Sequence, residues 1–564
     1  MATDGDPDAA PPAAPKVAQH PRGPRWLPLI GWLHRSDASS RRDDLLAGLT
    51  VGAMLIPQGM AYAALAGMPP VTGLYAATVP LVVYALLGTS GQLAFGPVAI
   101  VSLLTASTLA PLAGGDPAAY VALAGILALL VGAIQLALGL LRAGRLTAML
   151  SHPVISGFTS AAAIVIATSQ LDRLLGISVG RPEGWLERIG ALGANLGALH
   201  LPTLAVGAAA IAMLVLGRRL GRRVPVALLV VVLATAAVPV LGLDGAGVAV
   251  LGEVPAGLPL PSLPMAPLDA VVALLPGAVV IALLSYLEGI SVARAIARRT
   301  HDRIDPDQEL IASGAANLAA GVFQGFPVAG GFSRTAVNHG AGARTPLASI
   351  FSAAAVLLAL LLLAPLLRTL PEVVLAAVVI TAVAKLVDLR EAVHAWRVER
   401  TDGIALGITF LATLLLGVEI GIGVGIGASL LLSLWRVGVP RLEVERHDAG
   451  TLMRVEGDLL PASGVRLLEL IEDELDSDAA TGPRLVLDLS GVPSADLSGV
   501  QTLASLDDAC RERGVELHLA AVREGVDVPL RRAHLDTRFA ARSHQVPADA
   551  LVGVETRDTA PVAG

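Results

Sequence analysis

Long apolar stretches recur between residues 45 and 436, and they constrain the fold more than any other feature of the chain. A helix needs about 20 mostly apolar residues to cross the hydrocarbon core of a bilayer. The pattern predicts spans 1 to 14, over residues 45–66, 71–88, 96–111, 119–141, 152–171, 201–217, 224–242, 269–293, 308–325, 331–343, 346–365, 371–388, 401–418 and 420–436. The chain is therefore expected to be a polytopic α-helical membrane protein.

Composition excludes several other classes of protein. Only 15% of the 564 residues are charged and 54% are hydrophobic, whereas soluble globular proteins carry about 25% charged residues. This balance argues against a soluble enzyme, a disordered chain and a nucleic-acid binder. The single cysteine, Cys510, excludes a disulfide framework. No nucleotide-binding glycine motif, metal-ligand cluster or nucleophile–base pair appears, so we expect no enzymatic activity, no cofactor and no metal.

The C-terminal part of the chain differs in charge and pattern from the rest. Residues 1–440 contain 27 Lys and Arg against 24 Asp and Glu, whereas residues 441–564 contain 13 against 23. Period-2 and helical patterns alternate in this acidic part, which predicts a small α/β domain with a mixed sheet. The expected domains are a flexible arm, a membrane domain, a cytoplasmic α/β domain and a flexible tail, over residues 1–40, 41–439, 440–545 and 546–564.

The distribution of basic residues predicts the orientation of the chain. With a cytoplasmic N-terminus, 20 loop arginines and lysines fall inside and 4 fall outside, in agreement with the positive-inside rule. An even number of spans also places the acidic domain in the cytoplasm. Spans 3 and 10 are short or interrupted by Gly and Pro, and they occupy equivalent positions in two halves of seven. Such a pair indicates the substrate site of a transporter built from inverted repeats.

Spans 1 and 3 carry the first candidate site residues. Gln58 and Tyr62 lie four residues apart on one face of span 1, where they either line a substrate cavity or bond to another helix. In span 3, LAFGPVAIVSLL (93–104) predicts a helix that begins near Pro97 at membrane depth. The free N–H groups at its start would attract an anion.

Span 10 repeats this arrangement and adds a charge. A Pro/Gly break precedes a short helix expected to start near residue 331 or 332, with Ser333, Arg334 and Thr335 in its first turn. An arginine inside a membrane marks a pathway or a counter-ion, or else Arg334 lies at the membrane interface and extends its charge towards the headgroups. Glu288 in span 8 has no other charged residue within five positions. We expect it to act as a counter-ion to Arg334 and as a proton acceptor for coupling, or else to form a purely structural pair.

The chain resembles a known transporter family at these positions. Residues 56–104 and 309–349 are similar to the signature regions of the SulP (SLC26-type) inorganic anion transporters, and DLSGVPSADLSGVQTL (488–503) resembles a STAS domain. The resemblance covers residues 41–545. It implies 7+7 inverted repeats with a core domain (spans 1–4 and 8–11) and a gate domain (spans 5–7 and 12–14), elevator-type alternating access and a homodimer.

The resemblance also assigns roles to individual residues. Family site positions match Gln58, Tyr62, Phe95, Gly96, Pro97, Val98, Ala99, Ser333 and Arg334, and the ion-coupling position matches Glu288. Relatives with an aspartate at that position resemble sodium-coupled transporters, so glutamate favours protons. Gly330 and Gly331 stand where relatives often carry small hydroxyl residues. Ser498 matches the phosphorylated serine of soluble STAS proteins and is a possible regulatory site.

These features predict a secondary transporter of a small inorganic or carboxylate anion in the bacterial inner membrane. Sulfate is the first expectation, with proton coupling, and a bicarbonate or dicarboxylate transporter, possibly coupled to sodium, is the alternative. Two other functions remain open. One is a nucleobase symporter of the same fold class, and the other is a membrane sensor that signals to a cytoplasmic partner through the STAS domain.

Overall fold

The chain forms two compact units, Met1–Gly427 and Ala428–Gly564. The computed structural model describes residues 27–113, 116–144, 152–180, 184–217, 219, 225–252, 257, 260–362, 364–437, 441–447, 450–476, 483–550 and 556–559. Most of the expected N-terminal arm therefore lies outside the described residues.

The N-terminal unit is helical. Its first half contains α1 (Pro28–Arg35), α2 (Ala38–Leu65), α3 (Pro70–Ala76), α4 (Val79–Leu87), α5 (Ala99–Leu109), α6 (Pro117–Leu140), α7 (His152–Ser169), α8 (Leu171–Leu175), α9 (Trp185–Ala194), α10 (Leu201–Gly217) and α11 (Val226–Leu241). Its second half contains α12 (Leu268–Thr300), α13 (Pro306–Val322), α14 (Phe332–Gly340), α15 (Leu347–Leu362), α16 (Ala364–Leu367), α17 (Glu372–Val383), α18 (Leu389–Val398), α19 (Arg400–Leu416) and α20 (Val418–Val437), the last of which continues into the C-terminal unit.

Every predicted span overlaps at least one of these helices. By length and composition, however, only five helical segments among the described residues are long and apolar enough to cross a membrane alone, and these are Ala38–Leu65, Pro70–Leu87, Pro117–Leu140, Pro153–Leu175 and Leu268–Thr300. The count of fourteen spans is therefore not confirmed and stays a prediction. Helices α9 and α18 were not predicted, because each is only 10 residues long and carries charged residues.

Glycines on α6 and α13 form a close seam between the two halves of the helical unit. A Cβ atom on Gly132 would lie 2.7 Å from the backbone oxygen of Gly314 and 2.7 Å from the backbone nitrogen of Leu318. One on Gly321 would lie 2.6 Å from the backbone oxygen of Gly125. Small residues allow membrane helices to pack backbone against backbone. The seam therefore fixes α6 and α13 at a separation that no larger side chain permits.

A buried polar network crosses the same region. Asn317 of α13 donates from Nδ2 to Gln135 Oε1 of α6 at 3.0 Å and to the backbone oxygen of Val328 at 3.1 Å, and its Oδ1 accepts from Val328 N at 2.8 Å. Gln135 in turn donates to Ser285 Oγ of α12 at 2.8 Å. Because these side chains satisfy one another, the network ties three helices to the chain segment that precedes α14.

The C-terminal unit is a small α/β domain. The helical unit also contains two short strands, β1 (Phe95–Gly96) and β2 (Ala329–Gly330). The elements of the C-terminal unit are β3 (Arg441–His447), β4 (Gly450–Glu456), α21 (Pro461–Leu475), β5 (Arg484–Gly491), α22 (Leu497–Glu512), β6 (Glu516–Ala520), α23 (Glu524–Arg532), α24 (Asp536–Phe539), β7 (Ser543–His544), α25 (Pro547–Ala550) and β8 (Thr556–Thr559). The sheet order is β7-β6-β5-β4-β3-β8, with β3 antiparallel to β4 and to β8 and the other pairs parallel. The predicted mixed sheet is thus confirmed, and β8 lies within the expected tail.

Asp507 of α22 is the most heavily paired charge of the C-terminal unit. It is fully buried and forms ion pairs with Arg542 at 2.5 Å, Arg538 at 2.7 Å and Arg511 at 3.0 Å. Burial raises the pKa of Asp507, but the hydrogen bonds from Arg542 and Arg538 outweigh burial and hold it below its ordinary value. The carboxylate therefore ties α22 to the segment that follows α23.

Candidate functional site

Two short strands bring the starts of α5 and α14 together. β1 (Phe95–Gly96) pairs antiparallel with β2 (Ala329–Gly330), with Phe95 opposite Gly330 and Gly96 opposite Ala329. Helix α14 begins at Phe332, as predicted, and α5 begins two residues later than predicted, at Ala99. Each strand leads directly into its helix, so this two-stranded ribbon holds the two N-termini side by side.

The first turns of both helices lack side-chain caps. The N-cap residues are Val98 for α5 and Gly331 for α14, and neither provides a capping hydrogen bond. The first N–H groups of a helix have no partner within the helix and carry about half a positive charge in sum. The ribbon therefore brings two positive helix ends together, where Val98, Ala99 and Gly331 are buried and Ser333 is exposed.

Arg334 adds a full charge at this point. The residue is only 2% exposed, and its Nη1 donates to the backbone oxygen of Pro97 at 2.5 Å. Within the described part of the chain, its Nε and Nη2 atoms are buried and have no hydrogen-bond partner. A buried guanidinium without acceptors is costly. These two unpaired nitrogens are therefore the strongest indication that this place in the fold can bind an anion.

Gly331 makes the position of this guanidinium possible. A Cβ atom on Gly331 would lie 2.8 Å from Nη2 and 2.9 Å from Cζ of Arg334. The bare backbone of Gly331 thus leaves the space into which the guanidinium folds back over the first turn of α14. Gly331 is also one of the two positions at which the sequence departs from its relatives. The replacement of a hydroxyl residue by glycine therefore has a steric consequence here.

Glu288 approaches the site from α12. A Cβ atom on Gly330 would lie 2.9 Å from Cα of Gly289, so α12 packs directly against β2. Oε2 of Glu288 is buried and has no hydrogen-bond partner among the residues that the structure describes. Its charge interacts with that of Arg334, and Tyr62 of α2 lies within reach of both charges. Glu288 and Arg334 form no hydrogen bond with each other. Nη1 of Arg334 bonds to the Pro97 oxygen, and its Nε and Nη2 atoms have no hydrogen-bond partner among the described residues.

Gln58 shares this environment. It is 7% exposed, lies one helical turn from Tyr62 on α2, and its Oε1 atom has no partner in the described residues. The structure therefore brings Tyr62, Glu288 and Arg334 together, with Gln58 on the same helix face as Tyr62. Three of these four side chains keep unpaired buried polar atoms, which is typical of a binding site rather than of a packed core.

Other predicted site residues build the walls of the site. Phe95 stacks on Tyr84 with ring centroids 4.7 Å apart, so its ring belongs to the core. Thr335 Oγ1 donates to the Gly331 oxygen at 2.7 Å and accepts from Ala94 N at 3.0 Å, which commits its hydroxyl to the ribbon.

The remaining predicted positions differ in exposure. Gly96, Pro97, Val98 and Ala99 are buried at the entry to α5, whereas Ser333 is exposed. Gly96 has a φ of +145°, a conformation that requires glycine. In the C-terminal unit, Ser498 is half-buried at the second position of α22, whose N-cap Asp496 accepts from Gly499 N at 2.8 Å.

Glu309 is a supporting residue that the sequence analysis missed. Its buried carboxylate accepts hydrogen bonds from Tyr84 Oη at 2.7 Å, Thr89 N at 2.7 Å, Thr89 Oγ1 at 2.6 Å and Ser90 N at 3.2 Å. Because Tyr84 also stacks on Phe95 of β1, its hydrogen bond to Glu309 helps to hold the ribbon in place. An acidic residue just inside a predicted span was the available signal.

Among the described residues, no group of three or more His, Cys, Asp or Glu could hold a metal ion.

Two short helices whose N-termini meet inside a bundle of apolar helices are typical of membrane transporters. The chain matches the sulfate permease family over residues 42–409 and the STAS domain over residues 441–548. It therefore belongs to the sulfate permease family and carries a C-terminal STAS domain. The predicted family and fold class are confirmed.

Relatives and a solved structure agree with this assignment. A probable sulfate transporter of Mycobacterium tuberculosis is 34% identical over 529 residues, which cover 90% of this chain and 94% of the relative. A sodium-independent sulfate anion transporter of Bos taurus is 34% identical over 548 residues, covering 91% and 88%. The murine Slc26a9 anion transporter, solved in the inward-facing state, is similar with a TM-score of 0.85 and 25% identity, covering 93% of each chain.

Proposed function

We propose that this protein is a secondary active transporter of a small anion, with sulfate as the first substrate. The observation that carries the proposal is the buried guanidinium of Arg334, which keeps two unpaired donor atoms beside two helix N-termini. Sulfate is also the anion named in the descriptions of the mycobacterial and bovine relatives. The anion would lie between the first turns of α5 and α14, with Gln58 and Tyr62 at its side.

The charge of the site favours a divalent anion. Two helix N-termini supply roughly half a positive charge each, and Arg334 supplies one more, so the sum is about two positive charges. Two parallel N–H···O bonds from one guanidinium match the geometry of an oxyanion. Glu288 changes this balance, because an ionised carboxylate cancels one charge. A protonated Glu288 therefore matches sulfate, whereas an ionised Glu288 matches a monovalent anion such as bicarbonate.

This charge balance provides a mechanism for proton coupling. Binding of a dianion favours the protonated form of Glu288, and loss of the proton weakens the hold on the dianion. Proton and sulfate would then cross together as symport. The sodium-independent description of the bovine relative supports protons over sodium as the coupling ion.

The arrangement in the membrane belongs to the same proposal. We take residues 41–439 as the membrane domain and 440–545 as the STAS domain, with the N-terminus and the STAS domain in the cytoplasm of a bacterial cell. The distribution of basic loop residues supports this orientation. Spans 1–4 and 8–11 would move as a core against the gate spans in a homodimer, and Ser498 stays a candidate for regulatory phosphorylation.

Uptake of labelled sulfate into proteoliposomes tests the proposal. We expect accumulation driven by an inward proton gradient and none in the Arg334→Gln variant. Arg368→Gln, which removes an exposed arginine, is the matched control and should transport normally. Accumulation driven by sodium alone would contradict proton coupling. Folded protein that carries bicarbonate or a dicarboxylate but not sulfate would contradict the substrate.

Deletion of residues 441–564 and competition with uracil address the other functions considered. The transporter proposal predicts that sulfate flux persists without the STAS domain and that uracil does not displace sulfate. Displacement by uracil would favour a nucleobase symporter. Absence of flux in the intact folded protein, together with a partner bound at the STAS domain, would favour a sensor.

A further inference from the structure

Helix α18 presents an apolar face to its surroundings. Residues of an α-helix follow each other at about 100°, so Leu389, Val393 and Trp396 lie on one side. These three side chains are 75%, 50% and 52% exposed, whereas Ala395, on another side, is buried. An exposed apolar stripe of this kind requires a partner.

The start of the helix is fixed by local hydrogen bonds. Asp388 caps α18 by accepting from the backbone nitrogens of Arg390 and Glu391, both at 3.0 Å. Its own N–H donates to Ser160 Oγ of α7 at 3.3 Å. A well-formed cap stabilises a short helix that would be marginal alone. The apolar face is therefore held in one orientation.

The end of the helix is fixed by packing on α19. A single residue, Glu399, separates α18 from α19 and is extended, with a φ of −153°. A Cβ atom on Gly403 of α19 would lie 2.6 Å from Cδ2 of Trp396, so the indole rests on the bare backbone of this glycine. The chain thus turns at Glu399, and α18 does not continue the axis of α19.

Basic residues flank the apolar face. Arg390, His394 and Arg397 are all exposed and follow Leu389 and Val393 around the helix. Seen along its axis, α18 presents a packed side, an apolar side and a basic side in succession. A helix that lies in a membrane interface has this order, with apolar residues towards the acyl chains and basic residues towards the headgroups.

The neighbouring elements place this face at the membrane boundary. Helix α18 lies in the chain between the apolar helices α17 and α19, both of which overlap predicted spans. Helix α9 occupies the equivalent position in the first half, after span 5, and also exposes apolar residues, Leu186 at 64% and Ile189 at 40%. Both short helices contact α7 and α19. The exposed face of α18 therefore borders helices that we expect to lie in the membrane.

We propose that α18 lies in the plane of the membrane interface and binds anionic phospholipids. Leu389, Val393 and Trp396 enter the boundary of the acyl chains, and Arg390 and Arg397 bind the lipid phosphates. The occupant is the bilayer itself, because both ends of the helix are tethered to apolar helices and its basic side complements anionic headgroups. This inference is independent of the transported substrate.

Fluorescence of the full-length protein in vesicles tests the apolar part of the proposal. A variant with Trp396 as its sole tryptophan is made by changing the other four to phenylalanine, and it is reconstituted with brominated phosphatidylcholine. We expect strong quenching by bromine near the headgroup end of the acyl chain and weaker quenching by bromine near the chain terminus. Quenching by aqueous iodide instead would place the face in water. Quenching by neither would place it against protein, including a second copy, and either result would overturn the proposal.

Lipid selectivity tests the charged part. Phosphatidylglycerol retained by the purified protein, relative to phosphatidylcholine, should fall roughly fivefold for each arginine removed in the variants R390Q and R397Q. R390K together with R397K should keep the preference. R523Q together with R532Q removes two exposed arginines of the STAS domain and is the matched control. Equal lipid retention in R390Q/R397Q and in this control would overturn headgroup binding.

Discussion

Arg334 is the residue on which substrate binding should depend most strongly. Its replacement by glutamine removes a buried charge and the two unpaired guanidinium donors, and leaves a shorter, neutral polar side chain. Since hydrogen bonds to charged groups contribute about 1.5–3 kcal/mol, sulfate affinity should fall roughly 10- to 100-fold. Equilibrium binding of labelled sulfate to purified protein measures this. Unchanged affinity in a folded variant would contradict the assignment of the site.

Glu288 should control coupling rather than binding. The variant Glu288→Gln mimics the protonated carboxyl, so the site keeps about two positive charges at every pH. We expect sulfate exchange between the two sides of the vesicle to persist, while a proton gradient no longer drives accumulation. Transport that still responds to the gradient would show that the coupling proton binds elsewhere.

Gly331 provides a steric test of the same site. In Gly331→Ala, the new methyl group would lie 2.8 Å from Arg334 Nη2 and must displace the guanidinium. We expect sulfate affinity to fall about tenfold, because one charged hydrogen bond is lost, with little effect on thermal stability. Gly190→Ala on α9 meets no atom within 4 Å and is the matched control. Equal affinities in the two variants would contradict the packing of Arg334 on Gly331.

Sequence reasoning identified Arg334 and Glu288 because single charges stand out in apolar spans. It could not assign the role of Thr335, whose hydroxyl serves the ribbon, or that of Glu309. The partners of Glu309, and the Ala94 amide that bonds to Thr335, come from segments more than 200 residues away, and no local pattern encodes such contacts. The absence of a direct bond between Glu288 and Arg334 is likewise a property of the packing.

At the scale of elements, the seam between α6 and α13 should be intolerant of any side chain. A methyl group in Gly132→Ala would lie 2.7 Å from two backbone atoms of α13, which cannot move without separating the helices. Overpacking of this kind costs about 1–3 kcal/mol. The melting temperature of the purified protein should therefore fall. Gly407→Ala on α19, which meets no atom within 4 Å, should leave the protein as stable as before or slightly more stable.

The length of the apolar stretches predicted the positions of most helices. It did not predict the short amphipathic helices or the two-residue strands, which depend on other interactions. Helices α9 and α18 are short and amphipathic, so no apolar run of spanning length marks them. The strands β1 and β2 contain two residues each, which is too short for any periodicity. They are defined by their pairing with each other across more than 200 residues of chain.

At the scale of the whole molecule, the STAS domain should lose stability in acid. The ion pairs of Asp507 hold its pKa below the ordinary value, so the stabilisation is present above the unfolded-state pKa of about 3.9 and is lost as the pH falls through the lower folded-state value. Asp507→Asn should lower stability at pH 7 by about 3 kcal/mol and weaken this acid dependence. Hydrogen exchange of STAS peptides in the full-length protein measures both effects. An acid dependence identical to that of the unmodified protein would contradict the role of Asp507.

The order of the two domains was predictable because their composition differs so clearly. An apolar body with few charges and an acidic part with period-2 segments cannot form one core, and the family and STAS matches follow the same division. The number of membrane crossings was less predictable, since several of the helices are shorter than a bilayer requires.

The ribbon of β1 and β2 has an electrical consequence. It ties α5 to α14, and the bond from Arg334 to Pro97 reinforces the tie. In the transport cycle that we propose, the two helices would therefore move together. Arg334 and an ionised Glu288 would then travel together, and their fixed charges cancel. Membrane voltage exerts about 2.3 kcal/mol per elementary charge per 100 mV. The side chains of the empty carrier would then contribute no net charge to that field, so its proposed return should depend on voltage only through the two helix ends.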